Sequence, residues 1–216
     1  MLIIHRIINI PVPSNSYVIF DKAAGRDCII IDPGTKNNEE LIEFLGKENL
    51  VPRFIVLTHE HFDHCWGVNH LLEQYQAPII CSQSCSEAIK SAKRNCSVFY
   101  DNRGAFVIIS YTLTVERLNF TLNMWGKNVK FYLTPGHTEA SICFKIDRYL
   151  FTGDTLIKNE KTVTKLPTGS VEKLKESIGL LTGLQGSKLV VYPGHGESFD
   201  LNEYDLSISL NGIINV

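Results

Sequence analysis

The run His59-Glu60-His61-Phe62-Asp63-His64 places three of the chain's seven histidines and an aspartate in six consecutive positions. Imidazole nitrogens and carboxylate oxygens are the donors that hold divalent cations, and once buried they must otherwise all be hydrogen-bonded. In extended backbone, residues two apart point the same way, so His59, His61 and Asp63 face one side. His64, at the turn into a following helix, can face another. One short loop could then serve two ions, His59 and His61 the first, Asp63 and His64 the second. Three more donors stand downstream, each just past an apolar run: His137 after FYLTPG, Asp154 after YLFTG and His195 after LVVYPG. His137 would complete a three-histidine site and His195 a carboxylate–histidine site, while Asp154 has two oxygens with which to bridge. Zinc suits such a set, with a position left for water. Iron or manganese would fit as well, because no thiolate discriminates among them.

These donors need elements that end together. Apolar, isoleucine- and valine-rich runs read as strands over 2–10, 16–20, 28–34, 53–58, 77–82, 130–134, 141–146, 148–152 and 188–192. Amphipathic runs read as helices over 36–50, 66–76, 84–94 and 170–184, the last with Ser170 as its N-cap. Five strands stop at an acidic or metal-capable residue: Asp32, His59, His137, Asp154 and His195. Side chains at the carboxyl ends of neighbouring strands converge on one crevice, where α/β sheets bind ligands. Strands and helices alternate without a Pro/Gly/Ser linker, so one α/β domain over residues 1–216 is expected. Residues 95–128, with alternating stretches such as LTVERLNFTL, are the least regular.

With these residues in order, the chain resembles the metallo-β-lactamase superfamily of hydrolases. The family's H-x-H-x-D-H stands here as residues 59–64, followed by His137 in PGHT, Asp154 in TGDT and His195 in PGHG. The resemblance runs from about residue 2 to about 196. It implies an α/β (α+β) fold, a four-layer αββα sandwich with the metals at one edge between two sheets. It also implies that Asp32 of IDPG orients a ligand without binding metal itself. The subgroup most similar is the small glyoxalase-II-like hydrolases, which keep an aspartate at the position of Asp154 where several β-lactamases have cysteine.

The chain departs from glyoxalase II at three places. It ends soon after His195, with LNEYDLSISLNGIINV in place of a further helical domain. It lacks a Cys-Gly-Arg-like stretch after TGDT, and it carries Glu139-Ala140 after PGHT. Those departures weigh against a glutathione thioester as the substrate.

The chemistry expected is hydrolysis. Two ions roughly 3.5–4 Å apart share a hydroxide at neutral pH, polarise a carbonyl and take up charge as the oxyanion forms. Asp63 would orient that hydroxide as well as ligate. A small thioester or ester is the expected substrate, with lactones and phosphodiesters as further options. The rival activity is a persulfide dioxygenase-like oxidoreductase with one iron held by two histidines and an aspartate. A non-catalytic metal-binding protein is the third possibility.

Composition excludes other classes. The 216 residues are 44 % apolar and 20 % charged with net charge −2, an ordinary globular balance with no strong field for nucleic acid or anionic membranes. No apolar run approaches the ~18 residues of a membrane span. The first residues lack a basic n-region, and six scattered cysteines show no disulfide framework. Reduced thiols in a cytoplasmic protein, acting on a small molecule, are therefore expected. His5 and His70 fit no ligand pattern. Trp66 should pack under the histidine loop, and Phe99, Tyr100 and Phe106 either line a substrate wall or pack in the core or as a lid. Lys161, Thr162 and Lys165 either reach a substrate carboxylate or, more in keeping with their type, face solvent.

Overall fold

A computed structural model describes residues 1–100, 104–116 and 120–212. The chain forms two compact units, Met1–Thr114 and Val115–Val216.

The first unit opens with β1 (Ile3–Ile8), β2 (Asn15–Phe20) and β3 (Asp27–Ile31). Helix α1 (Glu39–Glu48) follows, then β4 (Val51–Val56), a single turn α2 (Phe62–Cys65) and α3 (Val68–Gln74). β5 (Ile79–Ser82), α4 (Gln83–Ala88), another turn α5 (Ser97–Tyr100) and β6 (Thr112–Val115) complete it. The six strands form one sheet in the order β1-β2-β3-β4-β5-β6. β1, β2 and β3 pair antiparallel, whereas β3, β4 and β5 run parallel. β2, β3 and β5 are nearly all buried, which explains their apolar runs, whereas β4 is buried mainly at its Ile55–Val56 end. Leu41 and Leu45 form the buried stripe of α1. Phe44 beside them stacks on His5 with ring centroids 3.7 Å apart, so His5 is a packing residue.

The second unit contains β7 (Thr121–Met124), β8 (Lys127–Leu133), β9 (Ile142–Ile146) and β10 (Tyr149–Gly153). Then come α6 (Val171–Thr182), β11 (Val190–Pro193), β12 (Phe199–Asp200) and the turn α7 (Ile208–Asn211). Its sheet runs β12-β11-β10-β9-β8-β7. β8, β9 and β10 alternate in direction and β11 lies parallel to β10. β8, β10 and β11 therefore finish at the same sheet edge. Leu174, Ile178 and Leu181 of α6 pack on Tyr132, Leu150, Val191 and Phe199. Ser170 caps α6 as the sequence suggests, its hydroxyl accepting the Lys173 backbone N–H at 3.3 Å.

The helix expected over 84–94 is shorter. It stops at Ala88, because the Ile89 carbonyl accepts the Ile108 N–H at 2.9 Å instead of continuing the helical ladder. Helix 36–50 begins at Glu39, since Asn38 takes a left-handed conformation (φ 50°) and its side-chain amide donates to the Gly67 carbonyl. The alternating stretch LTVERLNFTL falls partly on 117–119, and the last four residues of the tail are 213–216; both lie outside the described residues.

Candidate metal centre

In the first unit the site grows from the ends of β3 and β4, which are parallel neighbours. Asp32 follows β3 directly, and its backbone N–H donates to the Val56 carbonyl at 3.0 Å. Its φ is +47°, a left-handed conformation that aspartate tolerates better than most residues. This turn aims the carboxylate across the end of β4. Oδ1 accepts the Thr58 backbone N–H at 2.8 Å and Oδ2 accepts the Thr58 hydroxyl at 2.6 Å.

These contacts decide the protons on two histidines. The Thr58 hydroxyl gives its hydrogen to Asp32, so at 3.1 Å it must accept one from His59 Nδ1. Nδ1 of His64, 3.1 Å from the same Asp32 Oδ2, donates to it as well. Both rings thus carry hydrogen on Nδ1, which in the neutral ring leaves the lone pair on Nε2. One buried carboxylate holds two imidazoles in the tautomer a cation requires, the arrangement that orients metal-binding histidines generally.

The loop itself is pinned from below. Gly34 runs so close that a Cβ there would stand 1.7 Å from the Asp63 carbonyl oxygen. The Ser14 hydroxyl donates to that same oxygen, and the Asn9 amide donates to Ser14 and to the Asp32 carbonyl. The resulting donor spacing can be tested against a cation. Four ligands at 2.0–2.1 Å around zinc stand roughly 3.3–3.4 Å apart along each tetrahedral edge. His59 Nε2 lies 3.2 Å from His61 Nδ1, and His64 Nε2 lies 3.6 Å from Asp63 Oδ2. Both pairs fit.

In the second unit the donors come from three strand ends. His137 lies on the PGH turn after β8, where Gly136 (φ +153°) passes within 2.6 Å of the Leu174 backbone, measured from the Cβ it lacks. His137 Nδ1 donates to the Val163 carbonyl at 2.8 Å; a carbonyl only accepts, so the lone pair of the neutral ring is again on Nε2. Asp154 follows β10 and His195 follows β11, and the Gly194 N–H donates to the Gly153 carbonyl at 2.8 Å, locking the two turns side by side. Asp154 Oδ2 lies 3.5 Å from Nε2 of His137 and 3.5 Å from Nε2 of His195. That is again the edge length of a ligand shell, and it puts Asp154 between two histidines.

The thiols behave differently. All six cysteines are free and all but Cys96 are buried. Burial pushes Cys28 and Cys143 up to about 12, and burial foremost, with Asp63 and Asp32 nearby, raises Cys65 well above the usual range. The donor set is imidazole and carboxylate alone. Among the described residues no helix is long and apolar enough to cross a membrane.

Trp66 is half-buried and packs on Phe62, Tyr100 and Phe106. Lys161 and Lys165 face solvent. Thr162 does neither of the things expected of it. It is buried, and its hydroxyl donates to the Thr155 carbonyl at 3.0 Å, so it is a strut within the second unit. Sequence reasoning missed Thr58 and the Val163 carbonyl, the groups that set the tautomers of His59 and His137. Thr58 sits immediately before the cluster, and an acidic residue at the end of the neighbouring strand was the available signal.

Comparison with known proteins agrees with this geometry. Residues 9–195 match the model of the metallo-beta-lactamase superfamily. The chain is 32 % identical over 197 residues to a probable metallo-hydrolase of Methanocaldococcus jannaschii, covering 87 % of this chain and 89 % of that protein. It is also 32 % identical over 178 residues to a hydroxyacylglutathione hydrolase of Buchnera aphidicola, covering 82 % of this chain and 61 % of that one. The crystal structure of the B3 metallo-beta-lactamase BLEG-1 superposes with a TM-score of 0.83 at 25 % identity, over 97 % of this chain and all of the other. Two mixed sheets with flanking helices, a histidine-rich donor set and a match over most of its length establish that this chain belongs to the metallo-beta-lactamase superfamily and has its αββα fold.

Proposed function

We propose that residues 1–216 act as one metallo-β-lactamase-like domain, a dinuclear metal-dependent hydrolase of small thioesters or esters in the glyoxalase-II-like subgroup. In this reading His59, His61 and His137 hold one ion, Asp63, His64 and His195 hold the other, and Asp154 serves both. The donor spacings inside each unit support it: His59 Nε2 is 3.2 Å from His61 Nδ1 and His64 Nε2 is 3.6 Å from Asp63 Oδ2 in the first, and Asp154 Oδ2 is 3.5 Å from Nε2 of both His137 and His195 in the second. Zinc is the first candidate. A solved relative of the same fold, TTHA1623, is described in a di-iron-bound form (TM-score 0.73, 24 % identity, 91 % of this chain and 94 % of that one), which keeps iron as the alternative.

The single observation that carries the reading is the proton arrangement. Asp32, Thr58 and the Val163 carbonyl take up the Nδ1 hydrogens, so that three Nε2 atoms present lone pairs. When bound, the cations supply Lewis acidity and lower the pKa of water toward 7. The chain does the rest. Asp32 keeps His59 and His64 from rotating, and Asp63, with its backbone pinned by Ser14, orients the attacking water and accepts its proton. Asp154 holds His137 and His195 at equal distance.

The test is an element-resolved metal count on protein purified without chelator, with a screen of thioesters, esters, lactones and phosphodiesters and an oxygen-uptake assay. About two metal ions per chain and thioester or ester turnover that disappears in His59→Ala are expected. One iron per chain with oxygen consumption would instead establish the persulfide dioxygenase-like activity. Metal binding without turnover of any substrate would leave a metal-binding protein only.

A further inference from the structure

Beside the histidine loop the first unit carries an aromatic face that holding metal does not require. Phe62, between His61 and Asp63, stacks on Tyr100 with ring centroids 4.7 Å apart and planes 28° from parallel. Trp66 meets these two rings edge-on at 5.6 and 5.8 Å. Its other neighbour, Phe106, is parallel to it within 6°, at 6.0 Å. Trp66 and Phe106 also line a cleft of about 290 Å³. The face is not sealed: Tyr100 is 47 % exposed and Phe99 beside it 65 %. Phe62, Trp66 and Phe106 are half-buried. A clustered apolar surface that folding leaves in water marks a binding site.

Position and size say what it binds. Consecutive Cα atoms are about 3.8 Å apart, so the Phe62 backbone cannot lie farther than that from His61 and Asp63. Phe62 thus ties the aromatic cluster to the donor run, within one residue of two of its donors. Five aromatic side chains of about 150–250 Å² each, roughly two-fifths exposed, offer on the order of 400 Å². That is half of the roughly 800 Å² per partner of a stable protein interface, and ample for one ring.

We propose that Phe62, Trp66, Tyr100 and Phe106 form the subsite for an apolar, ring-bearing acyl group, so that the substrates are aryl-bearing acyl thioesters or esters and not polar, peptide-like ones. This rests on the hydrolase reading above, and the experiment separates the two. Phenylacetyl and acetyl thioesters of N-acetylcysteamine are compared on the metal-loaded protein. The phenylacetyl substrate is expected to have kcat/KM at least about tenfold higher, the discrimination a fitted apolar pocket gives. Tyr100→Ala should erase most of that preference through KM at unchanged metal content, and Tyr100→Phe should restore it.

Binding is read separately by tryptophan fluorescence. Phenylacetate, but not acetate, should quench it, and Trp66→Phe, which leaves Trp125 as the one other tryptophan, should abolish the effect. Quenching without turnover of either thioester would keep the subsite and overturn the hydrolase. Turnover with equal kcat/KM and no quenching would keep the hydrolase and overturn the subsite, as would a dimer that Tyr100→Ala dissociates while phenylacetate has no effect.

Discussion

The two donor clusters are built by opposite means. In the first unit four donors sit within six consecutive residues, and the protein must keep neighbours from competing for the same space. It does so with a support outside the run: Asp32, on the adjacent parallel strand, fixes two rings through Thr58 and His64 Nδ1. In the second unit the donors are 17 and 41 residues apart (137 to 154, 154 to 195), and the sheet itself brings them together. There the shared carboxylate is Asp154, a donor and not a support. A dense motif thus depends on what stands behind it, whereas a dispersed one depends on the register of strands.

That contrast can be broken by experiment. The largest effect is expected from Asp154→Ala, which removes the group both second-unit histidines share. Turnover should fall to background and the metal count below two per chain; a variant that keeps both ions and its rate would sink the central place given to Asp154. Asp32→Asn should come next. It keeps the side chain's size but replaces one acceptor oxygen by an NH2, so that either the Thr58 backbone N–H at Oδ1 or the Thr58 hydroxyl and His64 Nδ1–H at Oδ2 face a donor. A loss of about 10–100-fold in metal affinity or activity is expected, the scale seen when groups behind metal-binding histidines are changed. Competition with a chromogenic chelator measures it, and Thr58→Ala, which releases His59 alone, should give the milder version.

Backbone clearance gives a third, smaller comparison. Gly34→Ala forces a Cβ onto the Asp63 carbonyl, and Gly136→Ala forces one onto Leu174. Each should lower stability by about 1–3 kcal/mol, the usual cost of overpacking. Gly34→Ala should also weaken metal binding, because the strained contact is the donor loop. Thermal melts with and without added zinc would show zinc restoring stability less in Gly34→Ala than in Gly136→Ala.

The smallest effect belongs to a pair remote from both clusters. Lys127 Nζ stands 2.8 Å from Asp147 Oδ2, and that hydrogen bond holds the Asp147 carboxyl below its ordinary pKa. Because the folded value is the lower one, the contribution is present above the unfolded pKa and is lost as pH falls through the folded value. Both side chains are largely solvated, so Lys127→Ala should cost well under about 1 kcal/mol at pH 7 and nothing in acid, read from melts at both pH values.

Much of the site was legible because metal donors are few residue types and their spacing survives translation into sequence. The H-x-H-x-D-H run and the three strand-end donors could be read directly, as could the Ser170 cap. The length of the helix after Ser82 could not, since its stop depends on Ile108 claiming the Ile89 carbonyl from 19 positions away. Thr162 looked like a solvent-facing residue because its neighbours Lys161 and Lys165 are, but its hydroxyl had a carbonyl to satisfy. Backbone acceptors carry no signature in residue type.

By itself, the sequence determined which atoms could bind a cation and that strands must end at them, because side-chain chemistry and apolar periodicity are local properties. Only the tertiary structure decided which ring nitrogen carries the hydrogen, that Asp32 supports two histidines at once, and that aromatic rings from residues 62, 66, 100 and 106 meet in one cluster. Those outcomes depend on hydrogen-bond partners and ring contacts between segments far apart in the chain, and a proton or a stacked ring is placed only when the partner's position is fixed.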